Sequence, residues 1–203
     1  MKTNIPNEKD KLFIEEVNQN YGAWLKNPAN KFFLYSEGYK EAGNLLYKFC
    51  LANKFYLNTL IYPLIFNYRQ FVELRLKELI IMGNKYQGIK KNFPDEHSLI
   101  KLWNTYRKEI VEPMNEVEKK KLDNVERVIS QFNTEDPKSM CFRYPVSTGP
   151  NRKESINRET IDLENFKKVI DKLIYFFNLQ WEMISNYQEM QDEMIANMYS
   201  EYY

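Results

Sequence analysis

Apolar positions recur along most of this chain at three- and four-residue spacing, the period of a helix. The densest run is Asn58 to Gly83, NTLIYPLIFNYRQFVELRLKELIIMG, and the rest of the chain reads as built around it. Helix formers fill Glu73 to Leu79, and Gly83 supplies a stop. Ile61, Leu64, Tyr68, Phe71, Val72 and Leu79 lie along one side, and Ile65, Phe66, Leu76 and Ile80 occupy another. A helix that is apolar nearly all round is buried against several neighbours. Arg69, Glu73 and Lys77 interrupt it at i, i+4 and i+8 and form one ladder. Charges in that setting must satisfy each other or a third group.

The same periodicity places the other elements. A short helix is expected from Glu8 to Asn20, followed by an apolar anchor of Tyr21, Trp24 and Leu25, with Trp24 in the core; Asn27-Pro28 opens a loop. A second helix is expected from Ser36, as N-cap, to Ala52, burying Tyr39, Ala42, Leu45, Leu46, Phe49 and Cys50. Its short link to the central helix implies antiparallel packing, and Pro63 marks a start or a kink. Asn84 to Asp95 is a polar loop. A fourth helix buries Leu99, Ile100, Leu102, Trp103 and Tyr106 and stops before Pro113. A fifth spans Asn115 to Phe132, with Val117, Leu122, Val125, Val128, Ile129 and Phe132 inward. Thr134 to Thr160 breaks the pattern with three prolines and a glycine, and a short extended segment is expected at Cys141 to Val146. The last helix starts at Asp162, as N-cap, and runs to about Met198.

Composition agrees with an all-α fold, an antiparallel helical bundle with a long irregular insertion before its last helix. Of 203 residues, 43% are apolar and only 6 are glycine, and no linker divides the chain. Lys and Arg number 29 against 28 acidic residues, which leaves no global field toward nucleic acid or anionic lipid. Cys50 and Cys141 follow no metal or redox spacing, and there is one histidine, so no metal site is expected. The N-terminus carries no apolar signal stretch, which with the unpaired cysteines points to the cytoplasm. No phosphate-binding loop, dinucleotide fingerprint or nucleophile elbow is present, so no cofactor is expected.

Chemistry therefore rests on few groups. Arg69 and Glu73 are either a structural ion pair or the centre of a polar site in which Arg69 and Lys77 hold a phosphate. His97, at the start of the fourth helix, is a local hydrogen-bonding residue or an acid–base group. Arg143, between Phe142 and Tyr144, either pins the loop to the body or meets an anionic ligand. Arg69, Glu73 and His97 are the catalytic candidates, and Lys77 and Arg143 the ligand-binding ones.

The run Tyr62-Pro63-Leu64-Ile65-Phe66-Asn67-Tyr68-Arg69-Gln70-Phe71-Val72-Glu73-Leu74-Arg75-Leu76-Lys77, then Gly83, then His97-Ser98-Leu99 with Leu102-Trp103, resembles bacterial proteins of the HEPN type. Asp136-Pro137-Lys138-Ser139 and Phe142-Arg143-Tyr144-Pro145 look like an element of one uncharacterised branch. The resemblance covers about Glu37 to Asn178. It implies a helical bundle, a homodimer, and RNA-linked work in toxin–antitoxin or phage-defence systems, with an antitoxin or other protein as partner. Nuclease-active members carry arginine, four to six residues, then histidine. Here Lys90, Lys91 and Asn92 stand at that spacing before His97, so the motif is absent. Two functions stay open: an RNA-directed protein, as ribonuclease or RNA binder, and a non-catalytic helical protein that binds a protein partner or small ligand.

Overall fold

The computed structural model describes residues 5–14, 20–26, 30–147 and 152–201. The chain divides into two units, Met1–Lys31 and Phe32–Tyr203. In the first, residues 8–14 form turns and bends, not the expected helix, and the remainder of that helix and Asn27-Pro28 fall largely outside the described residues. Tyr21, Trp24 and Leu25 are exposed, so the core role expected for Trp24 does not hold.

The second unit is all-α. Its helices are α1 (Lys31–Ala52), α2 (Leu57–Tyr86), α3 (Leu99–Tyr106), α4 (Glu112–Met114), α5 (Lys119–Glu135) and α6 (Leu163–Glu201). No described residue lies in a strand; Val146 and Glu154 alone make an antiparallel bridge. Helix α2 packs against α3 and α6, and α3 packs against α5. Phe71, Leu76, Trp103, Tyr106 and Phe177 are fully buried in that core. No helix among the described residues is long and apolar enough to cross a membrane.

Several boundaries differ from those the pattern predicts, each for a local reason. Helix α1 begins at Lys31, so Ser36 is not a cap; it is buried mid-helix and its hydroxyl donates to the Phe33 carbonyl. The buried seam runs through Ser36, Gly43 and Cys50, while Leu45 and Phe49 face out. A small residue is needed at Gly43 because a side chain of α2 reaches the seam there: a Cβ on Gly43 would lie 2.9 Å from the Tyr68 ring. Pro63 lies inside an unbroken α2. The carbonyl it deprives of a donor belongs to Thr59, an exposed residue near the start of the helix. Beyond α3 the chain continues through a π-helical turn, Arg107–Val111, and past Pro113 to Met114. Pro113 is tolerated near the end of this run because the carbonyl it leaves without a backbone donor, that of Glu109, accepts from Gln87 Nε2 at 2.9 Å. Asn115 then adopts the left-handed conformation (φ 54°), which ends the helix and delays α5 to Lys119. Asp162 does cap α6, its Oδ1 accepting from the Asn165 amide at 2.9 Å.

Candidate functional site

Two charged stripes on α2 are buried on different sides, and each ties α2 to other elements. On one side Arg75 pairs with Glu78 at 2.9 Å and with Glu37 of α1 at 2.5 Å, and the Trp181 indole of α6 donates to Glu78. The Arg75 guanidinium lies over the Phe33 and Phe71 rings. This stripe is closed off and reads as architecture.

The other stripe opens to the surface. Arg69 is fully buried and uses its fork in three directions. Nη1 donates to Glu73 Oε2 at 2.7 Å, Nη2 to the His97 carbonyl at 2.6 Å, and Nε to the Asp136 carbonyl at 3.2 Å. One guanidinium therefore fastens the start of α3 and the end of α5 to the middle of α2. Lys77 donates to Glu73 Oε1 at 2.9 Å and lies over the Phe93 ring. Asp136, also fully buried, accepts the Met140 and Cys141 amides on Oδ1, and its Oδ2 lies 3.6 Å from Arg69 Nε. Arg69 and Lys77 balance Glu73 and Asp136, so the buried cluster carries no net formal charge, the condition under which such a group is tolerated.

His97 is the exposed end of this cluster. Its Nδ1 lies 2.9 Å from Glu73 Oε1, while its side chain is 66% exposed. Burial by itself would raise the Glu73 pKa. Hydrogen bonds from Lys77 and His97, the charge of Lys77 and the hydrogen bond from Arg69 outweigh it and hold the pKa below the ordinary carboxyl value. Glu73 is thus an ionised acceptor, so Nδ1 is the donor in this hydrogen bond and Nε2 is the ring nitrogen that faces away from it. The His97 backbone is fixed as well. Its amide donates to Glu96 Oε1 and its carbonyl accepts from Arg69. Glu96 also accepts from the Ser98 amide and from Lys101, and these contacts, led by Lys101, lower its pKa to about 2. The histidine is held at its amide, its carbonyl and Nδ1.

Of the residues the sequence singles out, Arg69, Glu73, Lys77 and His97 form one cluster. Arg143 does not join it. Residues 141–143 form a turn instead of an extended segment, so Phe142 is buried while Arg143 and Tyr144 are both exposed. Arg143 Nε donates to the Ser139 carbonyl at 2.6 Å, and its guanidinium lies between the Phe66 and Tyr144 rings. Sequence reasoning does not assign Asp136 or Glu96. An Asp-Pro pair directly after a helix is the visible signal for Asp136; nothing local marks Glu96 beyond its place two residues before the Ser98 N-cap.

Among the described residues no group of three or more His, Cys, Asp or Glu side chains is placed to hold a metal ion. The chain matches no family model, no curated protein and no solved structure, so its likeness to the HEPN type rests on the residues quoted above.

Proposed function

We propose that this is an RNA-directed protein of HEPN-like build in which His97 is the acid–base group. The observation that supports this reading is an exposed imidazole whose Nδ1 is held by a buried, ionised Glu73. A base oriented by a carboxylate is the arrangement that proton abstraction from a hydroxyl requires. In RNA that hydroxyl is the ribose 2′-OH: Nε2 takes its proton, the oxygen attacks the adjacent phosphorus, and the P–O5′ bond breaks, which leaves a 2′,3′-cyclic phosphate and a 5′-oxygen that takes its proton from water or from the protonated imidazole. Arg69 and Lys77 are too buried to meet the strand. They act at one remove, by keeping Glu73 ionised, and so compensate in part for the missing arginine-to-histidine motif. A reducing, cytoplasmic setting belongs to this reading, because Cys50 and Cys141 are both free thiols. Homodimerisation and an antitoxin-like partner belong to it through the resemblance alone.

The test is cleavage of an end-labelled single-stranded RNA by the purified protein. His97→Ala should lower the rate by about a hundredfold or more, the usual contribution of a general base. Glu73→Gln should lower it less, since the imidazole loses the ionised partner that orients it. No cleavage by the unaltered protein, or full cleavage by the His97→Ala protein, rejects the reading.

A further inference from the structure

A second site lies apart from His97. The first turns of α2, with Leu57, Ile61 and Tyr62, and residues 141–146 and 154–161 line an open cleft of about 1010 Å³. Its apolar lining includes Leu57, Ile61 and Ile156 and the half-exposed Tyr62 and Tyr144 rings. The connection is shaped for this. Asp136 Oδ1 takes the Met140 and Cys141 amides, which turns the chain so that Phe142 enters the core and Arg143 stays outside. The Ser155 amide then donates to the Pro145 carbonyl and the Ser147 amide to the Lys153 carbonyl, which sets Glu154 opposite Val146 on the cleft wall.

The charged groups on that wall are of both signs. Arg158 is held by Glu135 and adds no free charge. Arg143 differs from Arg69, Arg75, Arg107 and Arg158: no carboxylate among the described residues pairs with it. Its guanidinium is stacked between Phe66 and Tyr144, at 5.5 and 5.7 Å from the ring centroids, and Nη1 has no partner among the described residues. A stacked guanidinium with free donors is pre-organised for a carboxylate. Glu154 and Glu159 also line the cleft, are exposed, and have no ion-pair partner among the described residues. One free cation and two free carboxylates do not suit a polyanion. They suit a ligand that carries one carboxylate and one ammonium group on an apolar body.

We propose that this cleft binds a small zwitterion of the amino-acid or short-peptide class. The ligand carboxylate meets Arg143, its ammonium group meets Glu154 and Glu159, and its apolar side chains meet the apolar lining and the Tyr62 and Tyr144 rings. The volume is at the upper end of small-molecule sites, about 300–1,000 Å³, and favours a peptide of two or three residues over a single amino acid. The site does not depend on the His97 reading, since none of its residues belongs to the buried cluster. This is a binding function and needs no bond to form or break.

The test is calorimetric titration of the full chain with the dipeptide Leu-Phe, its N-acetyl form, its C-terminal amide, and free phenylalanine. The dipeptide should bind, and acetylation or amidation should each weaken it tenfold or more. Phenylalanine separates the two sources: tighter binding of the amino acid assigns the site to amino acids, tighter binding of the dipeptide to peptides. Arg143→Gln should abolish the difference between acid and amide while keeping the difference between amine and acetyl. A Glu154→Gln, Glu159→Gln protein should do the reverse; both positions are exposed, so this variant reads the site even if Arg143→Gln lowers the melting temperature. His97→Ala should bind the dipeptide as the unaltered protein does, which separates this site from RNA cleavage. Failure of every probe to bind, or an amidation penalty that Arg143→Gln leaves intact, overturns the proposal.

Discussion

Glu73 holds a negative charge where water does not reach it, and three donors on three side chains keep it there. Breaking such a pair leaves the other charge buried and alone, which costs several times more than losing an exposed pair. Arg69→Met and Glu73→Gln should each destabilise the fold by about 3–5 kcal/mol. The double variant should lose less than the sum, and urea unfolding of all four proteins measures the coupling. The sign of the pH dependence follows from the lowered pKa. The folded state binds this proton more weakly than the unfolded chain does, so the stabilisation is complete above the ordinary value of 4.5 and is lost as pH falls through the folded value. Unfolding midpoints measured from pH 6 to pH 3 should fall for the unaltered protein and fall less steeply for Glu73→Gln. Equal slopes in the two proteins would remove Glu73 from the account. At Arg107 three carboxylates, Glu112, Asp123 and Glu126, converge on one guanidinium and raise its pKa, the Glu112 hydrogen bond foremost. The effect there is to join the π-helical turn to α5.

Two helical glycines make opposite predictions. A Cβ on Gly83 of α2 would run into the Ile110 side chain, whose Cδ1 and Cγ1 would lie at 2.7 and 2.8 Å. Ile110 is itself fully buried in the turn after α3, so it has nowhere to go. Gly83→Ala gains about 1 kcal/mol of helix propensity, but overpacking of this kind costs about 1–3 kcal/mol. The steric term wins, and the protein should be less stable. Gly38 of α1 is exposed, and a Cβ there meets nothing within 4 Å. Gly38→Ala should therefore stabilise by about 0.5–1 kcal/mol, since only the backbone term remains. Chemical denaturation of the two single variants decides the matter, and a stabilised Gly83→Ala protein would show that α2 and the turn are less tightly packed than these distances imply. Helix α2 itself is apolar and charged at once because its neighbours differ around its circumference: α6 and α3 take its apolar sides, and the ends of two connections take Arg69 and Glu73.

At the scale of the whole molecule, α6 extends past the core. Its last turns expose Met190, Met194, Ile195, Met198 and Tyr199. Met190, Met194 and Met198 recur at i, i+4 and i+8, one above another on a single face. Such a face is adaptable and apolar, the character of a helix that meets another chain. The homodimer expected from the sequence would use it, and light scattering at micromolar concentration should give about twice the 24.6 kDa of one chain. Met194→Glu with Met198→Glu should return the mass to one chain. A single-chain mass for the unaltered protein sets this expectation aside.

Much of the second unit is legible in the amino-acid sequence, and the reason is locality. Helix periodicity, the Asp162 cap and the Arg69–Glu73–Lys77 ladder all depend on residues three or four apart, whose relative positions a helix determines. The sequence by itself therefore determined an all-α chain with a buried, charged central helix. Ser36 shows the limit of the same reasoning. Its chemistry suits a cap, but it lies buried inside a helix, on the seam of α1 that Gly43 and Cys50 continue and from which Leu45 and Phe49 face away. The site was decided by contacts between segments far apart in the chain: His97 reaches Glu73 across 24 positions, and Asp136 reaches Arg69 across 67. Arg143 went the other way, captured by a local turn and two aromatic rings before it could meet the cluster. No local pattern encodes such meetings, because which loop closes over a buried charge depends on how every helix has packed beneath it.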